Sequence, residues 1–257
     1  MPFLLQKTSY IWTASDPALA ALNGDDALPD LAIGRRPATT LEQAQTMVAK
    51  ILDWEAQGHN LDGPAALVAD NPDLAGDFEA DARDIETSFL AGRDTTQVFL
   101  GQLPNRDVAR AQILDAFNQG LSLISYVGHG GGAVWAGENI LNSSDPASLL
   151  AQPRQPFMLT MNCLNGYFIA PFYESLAEGF LKAQGKGTIA SFSPSGLSLD
   201  GPAHLYHRAV MQEITSGQHQ RIGDAILAAQ KTYAQSGAFP ELLSVYHLFG
   251  DPAMRVQ

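Results

Sequence analysis

The chain is poor in the groups that polyanions need. Of its 257 residues only 15 are Lys or Arg, against 27 Asp or Glu, for a net charge of -12. Nucleic-acid and anionic-membrane surfaces begin with clustered cations, so a neutral or cationic partner suits this chain better. No apolar run approaches the ~20 residues that span a bilayer. The opening "MPFLLQKTSYIW" has neither a basic n-region nor a long apolar h-region, so no membrane segment and no address is visible. There is a single cysteine, Cys163, which excludes an internal disulfide and any multi-cysteine metal site. That residue is either buried filler or chemistry.

What is present describes a globular chain, 46% apolar and 16% charged. Its length suits one main core rather than two independent ones, so the expectation is a single domain over residues 1–257. A short strand is expected at Leu31–Ile33. Thr40 then caps a helix on which Leu41, Ala44, Met47, Val48, Ile51 and Leu52 recur at helical spacing. Residues 63–70 read as a buried strand ending in Asp70, 71–92 as an acidic loop becoming a helix, and 95–101 as a β-branched strand. Another helix ends at Gly120. Strands at 121–128, 155–163 and 188–193 alternate with helices at 173–187, 202–216 and 222–235, and "LLSVYHLFGDPAM" closes with a strand. Such alternation calls for an α/β fold with a mostly parallel sheet and helices on both faces. Reactive groups in such sheets gather at the carboxyl ends of the strands.

Two strands end in reactive side chains. "ISYVGHG" delivers His129 and "FMLTMNC" delivers Cys163, and their separation of 34 in sequence leaves ample room for a crossover. If the strands are neighbours, imidazole and thiol meet above one sheet edge. That is the arrangement cysteine nucleophiles use, with the histidine lowering the thiol pKa and later protonating the leaving group. Each residue alone has a plainer reading, the cysteine as a small buried hydrophobe and the histidine as a turn residue. Their joint placement favours chemistry. Gly130, lacking a Cβ, can bring its N–H close to a substrate carbonyl and form an oxyanion hole with the Cys163 N–H.

His-Gly-Gly-Gly also opens the oxyanion loop of some lipases, but the required Gly-x-Ser-x-Gly elbow is missing, since "GLSLD" at 196–200 lacks its closing glycine. "GKGT" at 185–188 has the wrong spacing for a phosphate loop and reads as a helix end. His59, His204, His207, His219 and His247 show no metal spacing beyond the weak His204/His207 pair, which has no third ligand. Phe157, Met158, Tyr167 and Phe168 read as core.

"YVGHGGGAVW" followed by "LTMNCLNGYF" resembles the paired His and Cys motifs of gingipain-like cysteine peptidases, family C25, which have a caspase-like fold. "LPDLAIGRRPATTLEQAQTMVAKILDWE" and the closing "VYHLFGDPAM" extend the resemblance from about residue 24 to the end. It implies a three-layer caspase-like sandwich, with Cys163 as nucleophile, His129 as general acid/base and Gly130 and Cys163 as oxyanion donors. It also implies an upstream carboxylate that orients the histidine, placed in "AGDFEAD" at Asp77 first and Glu79 second. Trp135, Ser191, Phe192 and Ser193 are the expected substrate-binding residues, although Gly196 and Leu197 stand where arginine-specific members carry an aromatic pair. The implied partner is a peptide or protein substrate, with no nucleic acid and no membrane. No cofactor is expected to be required, no metal ligand is assigned, and structural calcium is compatible with the resemblance. Residues 1–30 read as a remnant of, or junction to, a missing N-terminal subdomain or propeptide, and secretion or a bacterial cell surface follows from kinship alone. The alternative is a catalytically silent module that binds or regulates with a peptidase fold.

Overall fold

In a computed structural model of the chain, residues 3–24 and 26–256 are described, so residues 1, 2 and 25 of the expected N-terminal junction lie outside it. The first half contains a hairpin of β1 (Leu4–Lys7) and β2 (Trp12–Ser15), helix α1 (Pro17–Ala20), α2 (Leu41–Ala56), β3 (Ala65–Ala69), α3 (Phe78–Phe89), β4 (Thr95–Phe99), α4 (Arg106–Gln119) and β5 (Leu123–Val127). Three very short strands follow, β6 (Gly130–Gly131), β7 (Val134–Trp135) and β8 (Leu141–Asn142). The second half carries β9 (Phe157–Met161), α5 (Leu176–Lys182), β10 (Ala190–Pro194), α6 (Asp200–Thr215), α7 (Ile222–Gln235), α8 (Glu241–Val245) and β11 (Tyr246–Phe249).

Local signals fix several helix ends. Thr40 caps α2 by accepting the Gln43 N–H, Asn105 caps α4, and Ser175 with Glu178 forms a capping box at α5. Gly120 closes α4 in the left-handed conformation. The main sheet runs in the order β11-β10-β9-β5-β3-β4, parallel throughout except for β11, which pairs antiparallel with β10. Side chains alternate across it, as strand geometry requires. Ala65, Leu67 and Ala69 face one core with α3, α6 and α7, while Ala66 and Val68 face the other with α4 and α5. The fold is the expected three-layer α/β sandwich.

Several elements differ from expectation: the N-terminal hairpin and α1 are unforeseen, and the helix expected at 173–187 spans only Leu176–Lys182. Residues 31–33 form no strand; the chain reaches the sheet edge only at Arg35, which bridges to Phe249. The closing strand is preceded by α8, a short helix that the apolar run "LLSV" concealed. The long excursion after His129 contains its own three-stranded sheet of β6, β7 and β8, which folds the glycine-rich segment back beside the ends of β5 and β9.

Candidate active site

The topology makes β5 and β9 parallel neighbours, with Val127 opposite Met161. His129 and Cys163 each stand two residues beyond those partners, so both side chains emerge at the same sheet edge. They line one small cavity of about 40 Å³, together with Ala75, Phe78, Ser198 and Asp200. No direct hydrogen bond joins imidazole and thiol. The Cys163 sulfur instead receives the Ser198 N–H at 3.5 Å and lies 3.7 Å from the Ser198 carbonyl oxygen.

The histidine is held from several sides. Its ring packs edge-on against Phe78, its backbone N–H donates to Asp70, and its carbonyl accepts the Tyr126 hydroxyl at 2.6 Å. Nε2 lies 2.9 Å from an oxygen of Asp73. The other Asp73 oxygen accepts the Ala75 N–H at 2.7 Å, which locks the loop carrying the carboxylate. The hydrogen bond to His129, helped by that backbone bond, keeps the Asp73 pKa below its ordinary value. Nδ1 takes no hydrogen-bond partner among the described residues.

The carboxylate expectation is therefore corrected: Asp73 contacts the imidazole, and neither Asp77 nor Glu79 does. Asp77 accepts the Ala80 N–H as the N-cap of α3, and Glu79 is taken up by Arg83 and Gln102. Removing the Asp73 charge frees the imidazole tautomer and orientation. Asp73→Asn is expected to lower kcat/KM about 10- to 100-fold, less than the ~10⁴ known for a buried triad aspartate, because the Asp73 side chain is 43% exposed. Asp77→Asn, which keeps a good cap, leaves activity unchanged in the same peptide assay.

Gly130, the expected oxyanion donor, keeps its N–H unpaired among the described residues. The Ala136 N–H donates to the His129 carbonyl, so by antiparallel alternation Gly130 and Trp135 form the non-bonded pair and the Gly130 N–H stays out of the ladder. No acceptor among the described residues takes the Cys163 N–H either. A Cβ on Gly130 would stand 2.2 Å from Asn162 Nδ2 and 2.8 Å from the Cys163 carbonyl oxygen, so only glycine permits this approach.

Two asparagines that sequence reasoning passed over tie the loops together. Asn162 Nδ2 donates to Asn165 Oδ1, and Asn165 Nδ2 donates to the Gly131 and Val134 carbonyls at 2.6 and 3.1 Å. Both are buried. Their signal was available: amides flanking a strand-end cysteine serve well to satisfy the backbone of a neighbouring turn.

The expected substrate-binding residues are not in the cavity. Trp135 is fully buried and stacks on Tyr126 at 4.4 Å, behind the site. Ser191, Phe192 and Ser193 are interior residues of β10; Phe192 packs on Tyr206 and Tyr246, and Ser193 accepts the Thr160 hydroxyl. The wall is supplied by the following segment, through Ser198 and Asp200.

Behind that wall, burial pushes the Asp81 and Asp200 carboxyls up, to about 6, and the charge of Asp81 adds to the rise at Asp200. Each therefore binds more protons folded than unfolded between about pH 4 and 6. The stability of the pair falls as pH rises through that window. Asp200→Asn is expected to raise Tm relative to the wild type above pH 7 and to leave it unchanged near pH 4, as thermal unfolding at the two pH values will show. Among the described residues, no group of three or more His, Cys, Asp or Glu is placed to hold a metal ion, so no calcium ligand set is assigned. No helix among them is long and apolar enough to cross a membrane.

A mostly parallel sheet with a histidine and a cysteine at adjacent strand ends has the architecture of the caspase-like fold. The model of Peptidase family C25 matches residues 2–257, and the chain belongs to that family. Gingipain R2 of Porphyromonas gingivalis is 25% identical over 263 residues, covering 95% of this chain and 35% of its own length. Gingipain R1 of the same organism is also 25% identical, with 95% and 26% covered. The chain thus spans about a third or less of these relatives. The crystal structure of the Arg-specific cysteine proteinase gingipain R superposes with a TM-score of 0.82 at 20% identity, covering 95% of this chain and 60% of that one. A complex of gingipain pro- and mature domains gives 0.83 at 20% identity, with 98% and 62% covered.

Proposed function

We propose that the chain is a cysteine peptidase acting through a Cys163 thioester. The supporting observation is a cavity lined by both His129 and Cys163 at adjoining strand ends. His129 takes the thiol proton, the sulfur bonds to the peptide carbonyl carbon, and the oxyanion is met by the Gly130 and Cys163 N–H groups. The C–N bond then breaks as His129 returns the proton to the departing amine, and water releases the acyl group by the reverse exchange. Asp73 holds the imidazole. A basic P1 side chain is the class whose charge Asp200, on the cavity wall, matches, in keeping with the arginine specificity of the gingipain R structure. Kinship further supports a protein substrate, a propeptide partner and action outside the cell.

The second reading is a silent binding module, favoured by the sulfur resting on Ser198 rather than on His129. One experiment separates the two. The protein is treated with acyloxymethyl ketones bearing basic or neutral P1 groups, and with a peptide library. A mass adduct on Cys163 and turnover that His129→Ala removes support the peptidase; a folded protein giving neither rejects it.

A further inference from the structure

A Ser, His and Asp constellation lies outside the cavity. Ser195, His247 and Asp16 are 0%, 1% and 3% exposed, too deep for any substrate. His247 Nε2 is 2.8 Å from Ser195 Oγ, and the Asp16 backbone N–H reaches His247 Nδ1 at 3.3 Å. Arg35 brackets the Asp16 carboxylate through Nε, at 2.7 Å, and through Nη2. The Thr13 hydroxyl donates to the Ser195 carbonyl at 2.5 Å.

The bonds assign the proton. Ser195 Oγ spends its single hydrogen on the Ala14 carbonyl, at 2.8 Å, so the Nε2–H of His247 must donate to it. Nδ1 faces Asp16 from the other side, 3.3 Å from its backbone N and 3.6 Å from its carboxylate. The ring thereby ties the end of the N-terminal hairpin to β11 and to the residue after β10.

Ser195 begins a strap that runs beside the cysteine. The Gly196 carbonyl accepts the Leu164 N–H at 3.0 Å, Ser198 Oγ donates to the Asn162 carbonyl at 2.8 Å, and the Ser198 N–H donates to the Cys163 sulfur. The strap thus touches the residue before the cysteine, the residue after it and the sulfur itself. Leu164 has φ of +64°, a conformation that costs a non-glycine residue about 1–3 kcal/mol and persists only where its surroundings impose it. A donor aimed at sulfur favours the thiolate over the thiol.

We propose that Ser195, His247 and Asp16 are positioning residues for Cys163: their buried clasp fixes the 195–198 strap, which sets the turn at Leu164 and the Ser198 N–H on the sulfur. Its catalytic meaning rests on the peptidase reading, but its test does not. Because Cys163 is the sole cysteine, iodoacetamide alkylation followed from pH 5 to 10 reports on this thiol alone. His247→Leu is expected to raise the alkylation midpoint by about one pH unit, the scale of losing one hydrogen bond to the anion. On a cleaved peptide it is expected to lower kcat with KM little changed. His247→Gln, which restores a donor toward Ser195 Oγ, returns the midpoint most of the way, whereas a purely structural role changes Tm and leaves the midpoint in place. Thr13→Val removes one hydroxyl from the other end of the clasp and decides the matter if His247→Leu does not fold. A folded His247→Leu, or a folded Thr13→Val in its stead, with a wild-type midpoint overturns the proposal. A shifted midpoint in a protein with no turnover upholds the clasp and removes the peptidase reading.

Discussion

Cys163→Ala is expected to abolish peptide hydrolysis and covalent labelling while leaving the fold intact. A nucleophile and its base act as one unit, so removing either costs about as much as removing both, on the order of 10⁶ in kcat. What remains comes from the oxyanion donors and substrate binding alone. The fold is spared because the sulfur is partly exposed and its hydrogen-bond contacts are confined to Ser198. Truncation removes one weak bond and opens a space adjoining an existing cavity. Initial rates on the best peptide, with near-ultraviolet circular dichroism and Tm as controls, check this. A folded variant with wild-type turnover would remove Cys163 from the mechanism, and the peptidase reading with it.

The centre of the site was legible because strand ends obey a simple topological rule. Apolar runs ending at Val127 and Met161 with a crossover between them leave little choice but parallel pairing, and the pairing brings His129 and Cys163 to one edge. The third member was not legible for a physical reason. Residues 70–81 offer Asp70, Asp73, Asp77, Glu79 and Asp81, and which of them reaches His129 depends on a loop path set by the Asp73 turn and by the close packing of Gly76 on Asp200. One clue did exist. Asp77 stands immediately before the helical pattern that starts at Phe78, and a carboxylate spent on capping is a poor partner for a distant imidazole.

Trp135 and the β10 residues failed for a different reason. Their motif was legible, but its direction was not: a two-residue strand reversal at β6 and β7 turns Trp135 inward onto Tyr126. Ser191–Ser193 were assigned one segment too early, because β10 is buried on both faces and the chain reaches the cavity only after Pro194. The polar clasp around His247 was invisible from sequence, since its members lie as far apart as residues 16 and 247.

Gly130→Ala should lower kcat about 10²- to 10³-fold, less than loss of the histidine but large for the addition of a single methyl group. The new carbon would lie 2.2 Å from Asn162 Nδ2 and 2.8 Å from the Cys163 carbonyl oxygen. Asn162 cannot simply yield, because its amide is buried and committed to Asn165, which in turn holds the Gly131 and Val134 carbonyls. The strain must move the His129 loop away from the Cys163 loop, carrying the Gly130 N–H with it. Displacing an oxyanion donor costs about 10² to 10³ in kcat, and overpacking costs about 1–3 kcal/mol of stability. Gly131→Ala is the internal control, because its added carbon meets only Val134 Cγ2, at 3.3 Å. The expected pattern is a large fall in kcat with a lowered Tm for the first variant and small changes in both for the second. Equal activities would show that the close approach of the two loops serves packing alone, and would take the oxyanion role away from Gly130.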